Sequence, residues 1–231
     1  MKRYLNIFTL IIIGSTILFS GCEKKINVEG VTIHPPVCVI KVGETKQLTA
    51  IVTPTDADNK TVRWNTSTLW MIDSNNGESV ATISETGKVK GLALGCASVA
   101  CITNNSFMEA RATVYVGYAA AVDGTYSGSL MKNGESVSTT ARTGIFAISE
   151  DKAGFGLSFL DGATPNHCEI TVDTVSEKMR FEGADSINIQ GTMTLVKVSG
   201  EVNWDGVGTF DIFVSSDKYS FFGTKIPRTP F

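Results

Sequence analysis

The feature that most constrains this chain is alternation. After residue 36, large apolar residues recur at every second position in short runs, and Gly, Asn, Asp and Pro separate the runs. Cys38, Ile40 and Val42 fall on one parity; so do Leu48, Ala50 and Val52, then Val62 and Trp64. The same spacing returns at Phe155, Leu157 and Phe159, at Cys168, Ile170 and Val172, at Met193 and Leu195, at Phe210, Ile212 and Val214, and at Tyr219 and Phe221. Side chains two apart on an extended chain project to one side, so each run supplies an apolar face that must be buried against another layer. No long stretch keeps apolar residues at three-and-four spacing, so no helix is expected. The fold class that follows is all-β, built from many short strands and turns.

The first residues stand outside that pattern. Lys2 and Arg3 precede an apolar run from Leu5 to Phe19, which leads into Ser20-Gly21-Cys22. A basic start, an apolar centre and small residues are the parts of a secretory signal, and the run is too short and interrupted to span a bilayer. The small residues before Cys22 resemble a lipobox, where a bacterial signal peptidase cuts before a lipid-modified cysteine. Phe19 departs from the Leu more usual three positions before that cysteine. The resemblance implies a signal peptide over residues 1–21 and a lipid-anchored N-terminus over 22–25, with acyl chains on Cys22. Several acyl chains make a durable anchor, whereas one binds only marginally. The membrane is then the first partner, and the location is the bacterial cell envelope, at the outer membrane, with the periplasmic and surface faces both open. Glu23-Lys24-Lys25 is mixed in sign and does not resemble the acidic run of some surface-exported lipoproteins.

Loss of Lys2 and Arg3 with the signal moves the formal net charge from −3 to −5, and no block of Lys or Arg remains. That excludes an electrostatic footprint for nucleic acid. Cys38, Cys96, Cys101 and Cys168 follow the anchor cysteine, but no CxxC pair occurs and only His34 and His167 accompany them, so neither a metal site nor a cofactor is expected. Parity places Cys38 and Cys101 inward and Cys96 outward. Buried single thiols and a Cys38–Cys101 bridge both remain open. No G-x-S-x-G, H-E-x-x-H or phosphate loop occurs. His167 and Cys168 are adjacent, and adjacent strand residues point to opposite faces. Asp56 and Asp58 lack the Gly and Glu that a calcium loop needs further along. The chain is not expected to be an enzyme.

Residues 26–117 form one unit. In order they supply Val42-Gly43-Glu44-Thr45, Val52-Thr53-Pro54, Val62-Arg63-Trp64, Val80-Ala81-Thr82-Ile83, Gly87-Lys88-Val89 and Gly95-Cys96-Ala97. This series resembles the bacterial Ig-like group 2 (BIG2) domain. The resemblance implies a two-sheet β-sandwich with Trp64 in its core, used as a spacer or binding module. One departure is informative: residues 68–79 are inserted between the Trp strand and the V-A-x-I strand. There Leu69, Trp70, Met71 and Ile72 put four large apolar groups into a connection expected at the surface. Either they cap the sandwich or touch the second unit, or they form an apolar binding loop.

Tyr118-Ala119-Ala120-Ala121-Val122, over residues 118–122, is a short apolar linker that suits a closely docked second unit. Residues 123–231 form that unit. They carry a hairpin signal at Asn133-Gly134. Gly124-Thr125-Tyr126-Ser127-Gly128, Gly191-Thr192-Met193-Thr194-Leu195 and Gly208-Thr209-Phe210-Asp211-Ile212 resemble strands of calycin-like β-barrel domains in exported bacterial lipoproteins. The resemblance implies a small antiparallel barrel of about eight strands; a second sandwich is the alternative. Nine of the twelve Phe residues lie here, and they serve either a filled core or the lining of an apolar cavity. The expected function is a non-catalytic envelope lipoprotein presenting β-domains for binding or adhesion, with a glycan or an envelope protein as partner. The alternative is a carrier of a small apolar ligand in an open barrel. A glycan hydrolase, the third reading, requires clustered acids in a cleft.

Overall fold

A computed structural model describes residues 24–71, 79–175 and 178–226, with the side chains of Trp70 and Val175 excepted. Residues 1–21, expected to be a signal peptide, and the expected anchor Cys22 lie outside the described residues.

Residues 30–116 fold as a sandwich. In one layer β1 (Gly30–His34) pairs antiparallel with β4 (Thr49–Thr53), and β3 (Thr45–Gln47) pairs with β7 (Lys88–Gly91), which pairs with β6 (Ala81–Ile83). The other layer runs β2 (Val37–Ile40), β9 (Glu109–Val116), β8 (Gly95–Thr103) and β5 (Val62–Met71), with β2 parallel to β9. Pro35 and Pro36 carry no N–H for a ladder, and there the chain leaves β4 and crosses to β9. Inward residues follow the alternation: Ile40, Val99, Cys101, Val114 and Val116 share a core with Leu48, Val80 and Val89. Trp64 packs half-buried against this core, beside Gly87. A Cβ on Gly87 would lie 2.6 Å from the Leu48 carbonyl oxygen and 2.9 Å from the Trp64 ring, and φ there is +82°.

The sandwich has two unlike ends. At one, Ile26 and the loop after β4 meet the hairpin turn between β8 and β9; the hydrogen bonds from Asp58 N–H to Ile26 O and from Asn104 N–H to Thr61 O are both 3.1 Å. At the other, Ile40, Gly95 and Val116 lie level, and the chain passes on through Gly117.

The second unit is a closed barrel. β10 (Gly124–Lys132), β11 (Glu135–Ala147), β12 (Lys152–Gly156), β14 (His167–Val175), β15 (Lys178–Ile189), β16 (Thr192–Asn203), β17 (Val207–Val214) and β18 (Asp217–Ile226) form an antiparallel meander, and β18 returns to β10. β13 (Ala163–Thr164) adds a two-residue ladder at the far end of β15. Closure leaves those eight strands without an edge. Asn133 and Gly134 join β10 to β11 with φ of 50° and 89°, both positive as a type I′ turn requires.

Aromatic rings fill the barrel. Phe210 lies 5.2 to 5.4 Å from the rings of Tyr126, Phe155, Phe181 and Phe221. The gap near Leu130, Phe155, Ile212 and Phe221 measures ≈ 10 Å³, room for at most one water. The centre is therefore a packed core, not the open chamber of a ligand carrier.

Several sequence expectations need correction. Residues 118–122 form a short helix, α1 (Tyr118–Val122), where none was expected; three successive alanines favour it, and Ala119 to Val122 are buried at the junction. Cys96 does point away from the sandwich core, yet it is buried, because the junction covers that face. Met193 and Leu195 alternate but face outward, 64 % and 50 % exposed, while Val196 and Val198 face in. Leu157 is buried beyond the end of β12, held by a 2.8 Å bond from its N–H to Asn166 O. Of the two readings left open for the thiols, the buried single thiol holds: no disulfide joins Cys38, Cys96, Cys101 or Cys168.

Candidate binding surfaces

The expected binding loop begins as strand. Leu69, Trp70 and Met71 are the last residues of β5, with Trp70 opposite Cys96 and Met71 opposite Gly95. The register slips between Thr68 and Trp70, making Leu69 the extra residue of a bulge. Bulges re-aim side chains, and Leu69 is 49 % exposed. Met71 instead packs against the sandwich core. Thr68 Oγ1 accepts a 3.1 Å hydrogen bond from Val80 N–H and ties the strand end to the next segment. Ile72 and the Trp70 side chain lie outside the described residues. This segment sits at the barrel end of the sandwich.

A second surface was not visible in any linear motif, because four strands contribute to it. On the outer barrel wall Glu182, Ser199, Asp211 and Ser220 stand side by side in register. Arg180, Glu201, Thr209 and Phe222 form the neighbouring row. Short side chains along the first row leave an open groove of about 480 Å³, with Met131 and the exposed Phe222 at one side. Asp211 is held from two sides: Ser220 Oγ donates at 2.7 Å and Lys218 Nζ lies at 2.9 Å. Partial burial pushes its carboxyl up, but these bonds outweigh that and keep it below the usual range. Lys178 pairs with Glu201 at 2.6 Å. Fixed donors and acceptors next to an exposed aromatic ring can engage a polar ligand with an apolar face, such as a sugar.

The junction between the units is tightly built. Tyr115 and Val39 of the sandwich pack with α1 against the barrel core. Glu150 accepts from Val42 N–H at 3.4 Å through its carboxylate, and from Ala119 N–H at 3.0 Å through its carbonyl. Lys225 of β18 donates to Ala121 O at 3.0 Å. Burial pushes this ammonium down to about 8, with Cys96 nearby acting weakly in the opposite direction.

His167 and the Cys168 thiol fall on opposite faces of β14. His167 opens β14 on the outer wall, its ring 5.1 Å from that of Phe146, while the Cys168 thiol is buried and raised to about 11, chiefly by desolvation. Among the described residues no three His, Cys, Asp or Glu side chains are grouped to hold a metal ion.

Residues 27–114 match the model of the bacterial Ig-like domain (group 2) family. The first unit is thus an Ig-like domain of that group, a module of envelope or extracellular proteins that typically binds or adheres rather than catalyses. The whole chain finds no match among curated proteins.

Proposed function

We propose that this chain is a non-catalytic lipoprotein of the bacterial cell envelope, tethered through Cys22, whose Ig-like domain holds a barrel head away from the outer membrane for binding. The observation that carries this reading is the polarity of the sandwich: the N-terminal segment leaves one end and the barrel docks on the other. A ten-residue strand such as β5 spans about 30 Å, which sets the height of the spacer. Of the two binding surfaces, the Leu69–Met71 strand end sits at the raised end and the groove on the raised head.

A glycan is the partner that best fits the groove, and an envelope protein is the partner that best fits the exposed Leu69 segment. Asp211, whose carboxyl is pushed down, does not suit the general-acid role that a hydrolase needs. A glycosidase acid must be pushed up.

The test combines labelling with binding measurements. Labelled palmitate should enter the wild-type chain and not Cys22→Ser; equal labelling would remove the tether. On a glycan array Asp211→Ala should weaken any hit at the groove, and in pull-down from envelope extract Trp70→Ala should weaken capture of any protein partner by the β5 end. A hit and a capture indifferent to these changes would leave the two surfaces without a role.

A further inference from the structure

We propose that the hairpin turn over residues 104–108 rests on the membrane beside the lipid anchor, with the Phe107 ring among the lipid chains. This inference rests on the anchor reading above. Ile26 is fastened to the sandwich by two hydrogen bonds with Asp58: its N–H donates to Oδ2 at 2.8 Å, and its carbonyl accepts from the Asp58 N–H at 3.1 Å. From there the loop reaches Thr61, whose carbonyl and hydroxyl each accept from Asn104 at 3.1 Å, the second bond coming from Nδ2. The start of the chain and the 104–108 turn therefore share one end of the sandwich. Cys22 stands four residues before Ile26, so its sulfur is tethered within about 14 Å of that end along the backbone. An acylated Cys22 lies at the lipid surface and holds this end against it.

Phe107 is what that end presents. It is 70 % exposed, and Met108 beside it is 40 % exposed. Its φ is +53°, a left-handed conformation that suits Asn or Gly and strains an aromatic residue. The turn is held in that shape by Phe107 N–H to Thr103 O at 3.2 Å and Met108 N–H to Thr103 Oγ1 at 3.0 Å. A strained backbone that turns a large ring toward solvent gains nothing in water; against lipid the ring is buried. Charges on the segments at this end offset one another, Lys24, Lys25, Lys60 and Arg111 against Glu29, Asp56, Asp58 and Glu109, with Arg111 and Glu109 ion-paired. The contact is apolar and does not depend on anionic lipid. The anchor supplies attachment, and the turn fixes how the sandwich stands.

The experiment uses the full acylated chain, reconstituted into phosphatidylcholine vesicles, with Asn105→Cys carrying a polarity-sensitive fluorophore. Cys38, Cys96, Cys101 and Cys168 are buried and do not compete for the label. Mass spectrometry first reads acylation: a chain lacking acyl mass on Cys22 removes the anchor and this inference together. With acylation present, the probe should shift to the blue and be quenched by spin-labelled lipid. A probe at Val42→Cys, at the opposite end, should do neither. Phe107→Asp should lose most of the shift, and so should Phe107→Asn, which suits the left-handed backbone and keeps the turn folded. An acylated chain whose Asn105 probe is no more quenched than the Val42 probe overturns the inference while leaving the anchor in place. A blue shift that grows with protein concentration without lipid also overturns it, by assigning the turn to a second copy of the chain.

Discussion

The Lys225 ammonium lies 5.3 Å from the centroid of the Tyr115 ring, so the last barrel strand is clasped to the sandwich by a cation resting on an aromatic face. That side chain also meets the Ala121 carbonyl and lies near Cys96, which places one titratable group where sandwich, helix and barrel converge.

The first prediction concerns pH. Lys225 titrates at 10.5 when free and at about 8 in the fold, because burial opposes its charge. Below about 8 it is charged in both states; between about 8 and 10.5 only the unfolded chain holds the proton, so stability rises with pH. The gain is at most about 3 kcal/mol. Cys38, Cys101 and Cys168 act in the opposite direction above pH 9, since burial raises each from 9.0 to about 11. Tyr115, raised from 10.0 to about 12 chiefly by burial, joins them at higher pH. Urea unfolding should therefore show stability climbing between pH 8 and 9 and levelling or falling beyond. Lys225→Met should abolish the climb and be no less stable at pH 7. A wild-type curve that is flat from pH 8 to 9 would refute the assignment.

Phe210 supports the barrel through its four ring neighbours. Phe210→Ala leaves a cavity that surrounding strands cannot close without breaking their ladders, and should destabilise the protein by about 3–5 kcal/mol. Phe213, three residues on, faces outward with the Lys218 ammonium over its ring at 5.6 Å. Phe213→Ala should lower stability by under about 1 kcal/mol. Denaturant midpoints of the two variants decide the matter, and equal losses would contradict the packed core.

Much of this fold was legible because alternation and turn residues are local. The six ordered motifs from Val42 to Ala97 located the sandwich, and the parity of Cys168, Ile170, Phe210 and Ile212 marked true inward faces. What stayed hidden depends on neighbours distant in sequence. Cys96 sits on the outer parity of β8, and only the docked barrel buries it. Met193 and Leu195 keep the right spacing but the wrong side, since nothing local says which parity faces the barrel axis. Leu69 continues a strand because Gly95 and Cys96 pair beyond it, a match a single segment cannot announce. The Asp211 groove and the shared end of Ile26 and Asn104 are likewise products of register and loop contact rather than spacing.

Gly183 marks where β15 leaves its partner. The ladder with β14 ends at Thr171 and Glu182, and a Cβ on Gly183 would lie 2.1 Å from Glu169 O and 2.9 Å from Ile170 Cα. Those are backbone atoms that cannot swing aside, so Gly183→Ala must move a strand and should lose at least about 1–3 kcal/mol. Gly144 has open space where a Cβ would go, and Gly144→Ala should be close to neutral. Thermal midpoints of the pair test this reading, which an unaltered Gly183→Ala would end.

The last prediction follows from the buried thiols. Cys38, Cys96, Cys101 and Cys168 are all buried, and burial raises three of them to about 11. At pH 8 those three are protonated as well as enclosed, and the thiolate is the reactive form. Native protein should therefore resist a thiol reagent at pH 8, while denatured protein should take up label at all four positions. Dithiothreitol should leave the melting temperature unchanged, because no bridge joins the described cysteines. Labelling of native protein would instead report opening, and its site would say where: Cys96 first means that the junction parts, whereas Cys168 first means that the barrel seam between β12 and β14 opens. Since Cys96 is covered by docking rather than by the core of its own sandwich, it should be the first to react when denaturant is raised through sub-denaturing concentrations. Simultaneous reaction of all four would show that sandwich and barrel unfold as a single unit.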